Sequence, residues 1–205
     1  GIECIRENIM DIIFVACHYS TRFNINYFIS KCSSKTKQSL YKFSDMKLMY
    51  NDFLTKYTIH LKENSMHKKD MLFLWNLYTY DELLPQIQNE KNITDNLSMN
   101  IEFENGQFKN VHSDLLEEVK EFIVFVNKSF QNHQEYELDE FEIDEVIYMF
   151  NNIEKEELNY INREIATLAI KYYIDTLNIN NNKICNISCI HWGKKQEVES
   201  FIKSY

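Results

Sequence analysis

The chain has 205 residues, 44% hydrophobic and 26% charged, with a formal net charge of −9 at pH 7. That length holds one large domain or two small ones with a genuine core. Only three glycines and one proline are present, against about 14 and 10 at average usage. This excludes turn-rich sandwiches and propellers, and leaves no GxxxxGK[ST] or GxGxxG phosphate cradle.

In chain order, Ile2, Ile5, Ile9, Ile12, Ile13 and Ala16 recur at helical spacing and predict an opening helix, although the apolar run 12–15 also suits a strand. Asn24 predicts a cap for a short helix carrying Tyr27 and Phe28. Ser44 begins a longer helix, with Asp45 in its first turn and Met46, Met49, Phe53, Leu54 and Tyr57 along one face. The next spans Lys68–Thr79 with Met71, Leu72, Trp75 and Tyr78 inward, and Pro85 blocks further helix. Asn105-Gly106, between Ile101–Phe103 and Phe108–Val111, is the clear hairpin signal. Asp114 with Glu117 reads as a capping box for a helix reaching Phe130, buried along Val119, Phe122, Ile123 and Val126.

The polar stretch 131–137 is the candidate boundary between a region 1–130 and a module 131–205. Three helical patterns follow, Glu140–Asn151, a short 155–160 and Asn162–Leu177 capped by Asn162. An extended run then covers 184–191, and 194–203 returns to helix. Helix, short helix, helix, strand is the order of a winged-helix module. The expected fold class is therefore mainly α (α+β), a helical connector with one hairpin followed by a winged-helix-like end.

Charge is uneven: residues 31–69 carry nine lysines against three acids, and 114–164 fifteen acids against four basic residues. A polyanion would meet the first third, and lysines there position phosphates without reading bases. The candidate nucleic-acid contacts are Lys31, Lys35, Lys37, Lys42 and Lys47, joined by Lys194 and Lys195 after the extended run. A helix built on Asn162–Leu177 offers only Arg163 and Lys171 against Glu164 and Asp175, poor for entering a groove.

The acids Glu137, Asp139, Glu140, Glu142, Asp144 and Glu145 could hold a hard cation, but an exposed helix N-terminus explains them better. On a regular strand Cys185, Ile187, Cys189 and His191 would share a face. Two thiols and an imidazole could hold zinc, yet small thiols turned toward a core are the simpler expectation. Cys17-His18 are adjacent and point apart, so they form no nucleophile–base pair. No catalytic or metal-binding residue is assigned. Five cysteines without a CxxC suit reduced thiols in a reducing compartment. No run is long and apolar enough to predict a membrane span. The chain begins on Gly1 rather than Met, as a fragment, a processed product or an expression scar would.

Four blocks taken together carry a resemblance: 14–24 (FVACHYSTRFN), 73–78 (FLWNLY) with Leu84-Pro85, 140–150 (EFEIDEVIYMF) and 184–195 (ICNISCIHWGKK). In this order they resemble the C-terminal part of the poxvirus-type primase–helicases of giant nucleocytoplasmic DNA viruses, whose motor is a superfamily-three AAA+ ATPase. The resemblance implies a noncatalytic accessory module of a viral replicative helicase, located in host cytoplasm or viral factory. Its implied partners are DNA, single-stranded or duplex, and replication proteins, with homo-oligomers formed through the parent motor. The implied cofactors, ATP and magnesium, would belong to the parent motor and not to this segment, which has no matching Walker A lysine. The alternative is a protein–protein assembly module without nucleic acid, drawing on 13 tyrosines and 14 phenylalanines. An enzyme with an unrecognised site would need distant His, Cys and acidic residues gathered in one pocket.

Overall fold

The computed structural model describes residues 31, 33, 34, 45–82, 84, 88–132, 139–153 and 161–190. The expected helices near 2–16, after Asn24, over 155–160 and over 194–203 lie outside the described residues, as do Pro85 and His191.

The described elements are α1 (Met46–Tyr57), β1 (Ile59–His67), α2 (Lys68–Asp81), α3 (Glu90–Leu97), β2 (Phe103–Glu104), β3 (Gln107–His112), α4 (Asp114–Ser129), β4 (Phe130–Asn132), β5 (Asp139–Glu142), α5 (Ile143–Ile153), α6 (Arg163–Tyr173), β6 (Asn178–Asn180) and β7 (Lys183–Cys189). The fold is mainly α (α+β) with small antiparallel sheets, the class expected.

The helix α1 starts one residue later than expected, because Asp45 is its N-cap and accepts from the Leu48 N–H at 3.0 Å. Its inner face is Met49, Tyr50 and Phe53. Met46, in the first turn, stays 37% exposed. The helix α2 is buried around most of its circumference, Asp70–Trp75 without interruption, as suits a central helix packed by α1, α3, α6, β1 and β3.

The Asn105-Gly106 hairpin forms where its turn chemistry placed it, with both residues at positive φ (51° and 78°). The first sheet has the order β1-β3-β2. The strand β1 is not regular: pairing jumps from His60↔Val111 to Ser65↔Lys109, so residues 61–64 bulge opposite Asn110 alone. Glu63 and Asn110 both take positive φ there, and the Glu63 N–H donates to Asn110 Oδ1 at 3.2 Å.

The expected capping box at α4 is not made. Ser113 holds the N-cap position, without a side-chain cap bond, so Asp114 falls inside the first turn, where its Oδ1 meets the His112 ring Nε2 at 2.9 Å. The stripe of α4 is buried as expected at Val119, Phe122 and Val126, with Ile123 partly covered.

The pattern assigned to a helix over 140–151 divides into β5 and α5. Buried Phe141 between exposed Glu140 and Glu142 is a strand alternation, and β7 pairs with it (Glu140↔Cys185, Glu142↔Lys183). The Glu142 N–H then donates to Glu145 Oε2 at 2.9 Å, half of a capping box that starts α5. The helix α6 has the expected Asn162 cap but ends at Tyr173, four residues early, as Ile174 turns extended ahead of β6.

Cys185 pairs with both Glu140 and Asn178, and Ile187 with both Asn132 and Asp139. Therefore β5 lies along one edge of β7, and β4 and β6 lie end to end along the other. The shift between Asp139 and Glu140 leaves Asn186 as an extra residue of β7, which resets the alternation. Ile184, Ile187 and Cys189 are all buried, whereas Cys185 is part-exposed. Cys185 is thus not on the face expected of it.

Two buried clusters result. One gathers α1, α2, α3 and the first sheet with Leu116, Val119 and Ala169. The other gathers α5 and the second sheet with Phe122, Phe125, Val126, Ala166 and Ile170. Both α4 and α6 therefore contribute to each.

Candidate interaction surface

The basic stretch is where sequence reasoning placed function, so its lysines come first. Lys31 and Lys47 are exposed, while Lys35, Lys37, Lys42, Lys194 and Lys195 lie outside the described residues. Elsewhere in that stretch Lys56 pairs with Asp52 at 3.3 Å and with Glu82, and Lys68 with Glu90 at 3.7 Å. The Lys69 ammonium lies over two tyrosine rings. Lys62 is exposed in the β1 bulge. Lys56, Lys68 and Lys69 are thus engaged by the protein's own carboxylates or rings.

The acidic run is not gathered around a point. Glu140 pairs with Lys183 at 3.3 Å, Glu145 caps α5, and Asp144 binds Arg163 through a bidentate pair whose Nε–Oδ1 arm is 2.8 Å. That guanidinium, chiefly by hydrogen bonding, holds the Asp144 carboxyl below the usual range. Glu137 lies outside the described residues. Among the described residues no group of three His, Cys, Asp or Glu side chains is arranged to hold a metal ion.

The pair Arg163–Asp144 also decides what α6 offers. Its one arginine is neutralised, Thr167 bonds back to the Arg163 carbonyl, and Tyr172 and Tyr173 pack on Phe73 of α2. The hairpin β6–β7 turns through Asn181 and Asn182, both at positive φ, and the Asn182 carbonyl accepts from the Ile143 N–H at 3.0 Å. Its only described cation, Lys183, is the one held by Glu140.

One polar group sequence reasoning missed is Asp70, buried on α2. Its Oδ1 accepts from the Tyr173 hydroxyl at 2.9 Å, and its Oδ2 meets the Lys120 ammonium at 2.7 Å. Asp70 thereby ties α2 to both α6 and α4. Burial first, then the Asp70 charge and hydrogen bond, drive the Tyr173 phenol far above its ordinary range. These partners lie 50 and 103 positions away, so no local motif could announce them.

Three open grooves border β1 or its start. One of about 370 Å³ runs between Leu54, Thr58, His60, Glu102 and Lys109. A second, about 440 Å³, lies by Tyr57, Ile59 and Asp114. The third, about 220 Å³, is lined by Asn64, His112, Glu117 and Lys120. His112 with Asp114 is the nearest approach to a catalytic dyad. Its other nitrogen faces the Asn64 amide at 3.4 Å and Glu117 Oε1 at 3.9 Å. Cys189 is buried and Cys185 part-exposed, and Cys185 Sγ lies 3.9 Å from Glu140 Oε1.

These features are grooves, paired charges and tyrosines on the surface of an α+β fold. Compared with known proteins, the chain matches no family model, no curated protein and no solved structure. No described helix is long and apolar enough to cross a membrane.

Proposed function

We propose that this chain is a noncatalytic accessory module of a viral replicative helicase–primase, and that it works chiefly by contacting protein. The helicase attribution is supported by the four sequence blocks. A winged-helix-like second half is supported by the order α4, β4, β5, α5, α6, β6, β7, with β7 between β5 on one edge and β4 and β6 on the other. The observation that carries the protein reading is the neutralisation of two of the described cations a winged helix would turn to DNA, Arg163 by Asp144 and Lys183 by Glu140, which leaves Lys171 of α6 exposed. Phosphate binding through Arg163 or Lys183 would first have to break these pairs.

Lys47 and Lys62, both exposed and without an ion pair to a described residue, favour a second, weaker contact with nucleic acid. Such contact would be insensitive to sequence and would weaken steeply with salt, because each neutralised phosphate releases counterions.

Titration of the full chain with labelled single-stranded and duplex DNA at low salt separates the two. The protein reading expects weak binding that disappears at physiological salt and is reduced further by Lys47→Glu with Lys62→Glu. Saturable binding that persists at physiological salt and weakens on Arg163→Ala would overturn it.

A further inference from the structure

The Lys69 ammonium sits 5.8 Å from the Tyr172 ring centroid and 5.2 Å from that of Tyr173. The two rings stand at 79° with centroids 5.1 Å apart, so they form two walls of a notch. Both walls are fixed. The Tyr172 hydroxyl donates to the Lys69 carbonyl at 2.9 Å, the Tyr173 hydroxyl to Asp70, and Phe73 packs against each ring. Two carboxylates act on the rings as well, Asp70 and Glu90, paired in turn with Lys120 at 2.7 Å and Lys68 at 3.7 Å. Burial raises the Tyr172 phenol to about 12, with Glu90 and Asp70 adding to the effect. Lys69 itself is exposed, so its seat over the rings is reversible.

Paired aromatic faces beside carboxylates select an alkylammonium group, because the ring quadrupole attracts a cation that a phosphate or a neutral amide cannot replace. We propose that the Tyr172–Tyr173 notch is a binding site for a lysine side chain from a basic segment of a partner protein, and that Lys69 fills it in cis until that partner arrives. The inference rests on the protein-contact reading above and supplies its chemistry: a cationic partner for a chain of net charge −9. Lys69 acts as a resident competitor. A cation–π contact at such a partly exposed site keeps the notch occupied most of the time, which weakens an incoming cation by about fivefold.

The test uses the full chain with tetramethylammonium and N-acetyl-lysinamide as probes, read by NMR shifts of the tyrosine rings. Lys69→Ala empties the notch and is expected to bind both probes about fivefold more tightly than the unsubstituted chain. Lys69→Met, which refills the notch with an apolar chain, should show no gain. Adding Tyr172→Leu to Lys69→Ala should abolish the gain, with near-ultraviolet circular dichroism confirming the fold. Equal affinity of Lys69→Ala and the unsubstituted chain, or a gain that survives Tyr172→Leu, would overturn the proposal. These small probes report on the notch alone, so failure here leaves the DNA titration free to decide the wider reading.

Discussion

The two buried clusters are built from different aromatic chemistry. In the first, Tyr50 stacks on Trp75 at 4.6 Å, and Phe53 meets Trp75 edge-on at 5.1 Å. Its phenols reach polar partners: Tyr50 to Gln88, Tyr57 to Asp81, and Tyr78 to Asp52 at 3.0 Å. The second relies on Phe122, Phe125, Phe130, Phe141 and Phe150, rings in edge and tilted contacts that have no hydroxyl to satisfy. Hydroxyl-bearing rings are held in one orientation by the partner each must find, whereas phenylalanines are held by shape alone. The first cluster is therefore specified by polar bonds at its rim, the second by packing.

The comparison is broken most directly by Phe122→Ala. Phe122 is fully buried against Phe150, so the cavity should cost about 3–5 kcal/mol in urea unfolding. Next comes Asp70→Asn, which weakens the node joining α2, α4 and α6. A loss of about 1–3 kcal/mol is expected, with a non-additive double-mutant cycle against Tyr173→Phe. Tyr78→Phe removes one rim bond and should cost about 1 kcal/mol.

A pH titration sharpens the contrast without mutation. Burial holds the Tyr50 and Tyr172 phenols up to about 12, whereas an unfolded tyrosine ionises near about 10. The raised folded values mean that their contribution to stability is complete below about 10 and is lost as pH rises toward about 12. Phenolate absorbance should show a late-titrating class of tyrosines, and thermal stability should decline across the same window. The smallest effect is expected from Asp144→Asn. The lowered Asp144 carboxyl stabilises the fold above the ordinary aspartate range and loses that effect as pH falls through its folded value. The pair is solvent-exposed, so thermal melts at physiological salt should barely change.

Elements whose sequence carried both a period and a boundary signal were legible. The helix α2, the stripe of α4, the Asn162 cap and the Asn105-Gly106 hairpin are of this kind. The strand β1 was not, because IHLKENSMH alternates only over its first four residues, Ile59 and Leu61 stay exposed, and Met66 is its only buried residue. The helix α3 escaped too, since EKNITDNL offers only Ile93, Thr94 and Leu97 to the core and depends on Asn89 as cap. Alternation failed in β7 for the opposite reason: one extra residue, Asn186, shifted the phase that strand reasoning assumes constant. The second hairpin turn had a readable cue in Asn181-Asn182, which tolerate positive φ. For the interaction surface, lysine density marked a basic region. Lys56–Asp52 is a local i,i+4 pair, but Lys56–Glu82, Lys68–Glu90 and the Asp70 node join residues far apart in sequence.

The shared helix α4 has a consequence for how the molecule can come apart. Its first two turns are sealed by Leu116 and Val119 in one cluster, its later turns by Phe122, Phe125 and Val126 in the other. A piece ending with this helix would keep the first seal and leave a naked phenylalanine ridge prone to self-association. Its mid-helix amides should accordingly be the slowest to exchange with deuterium, since releasing them requires both clusters to open together.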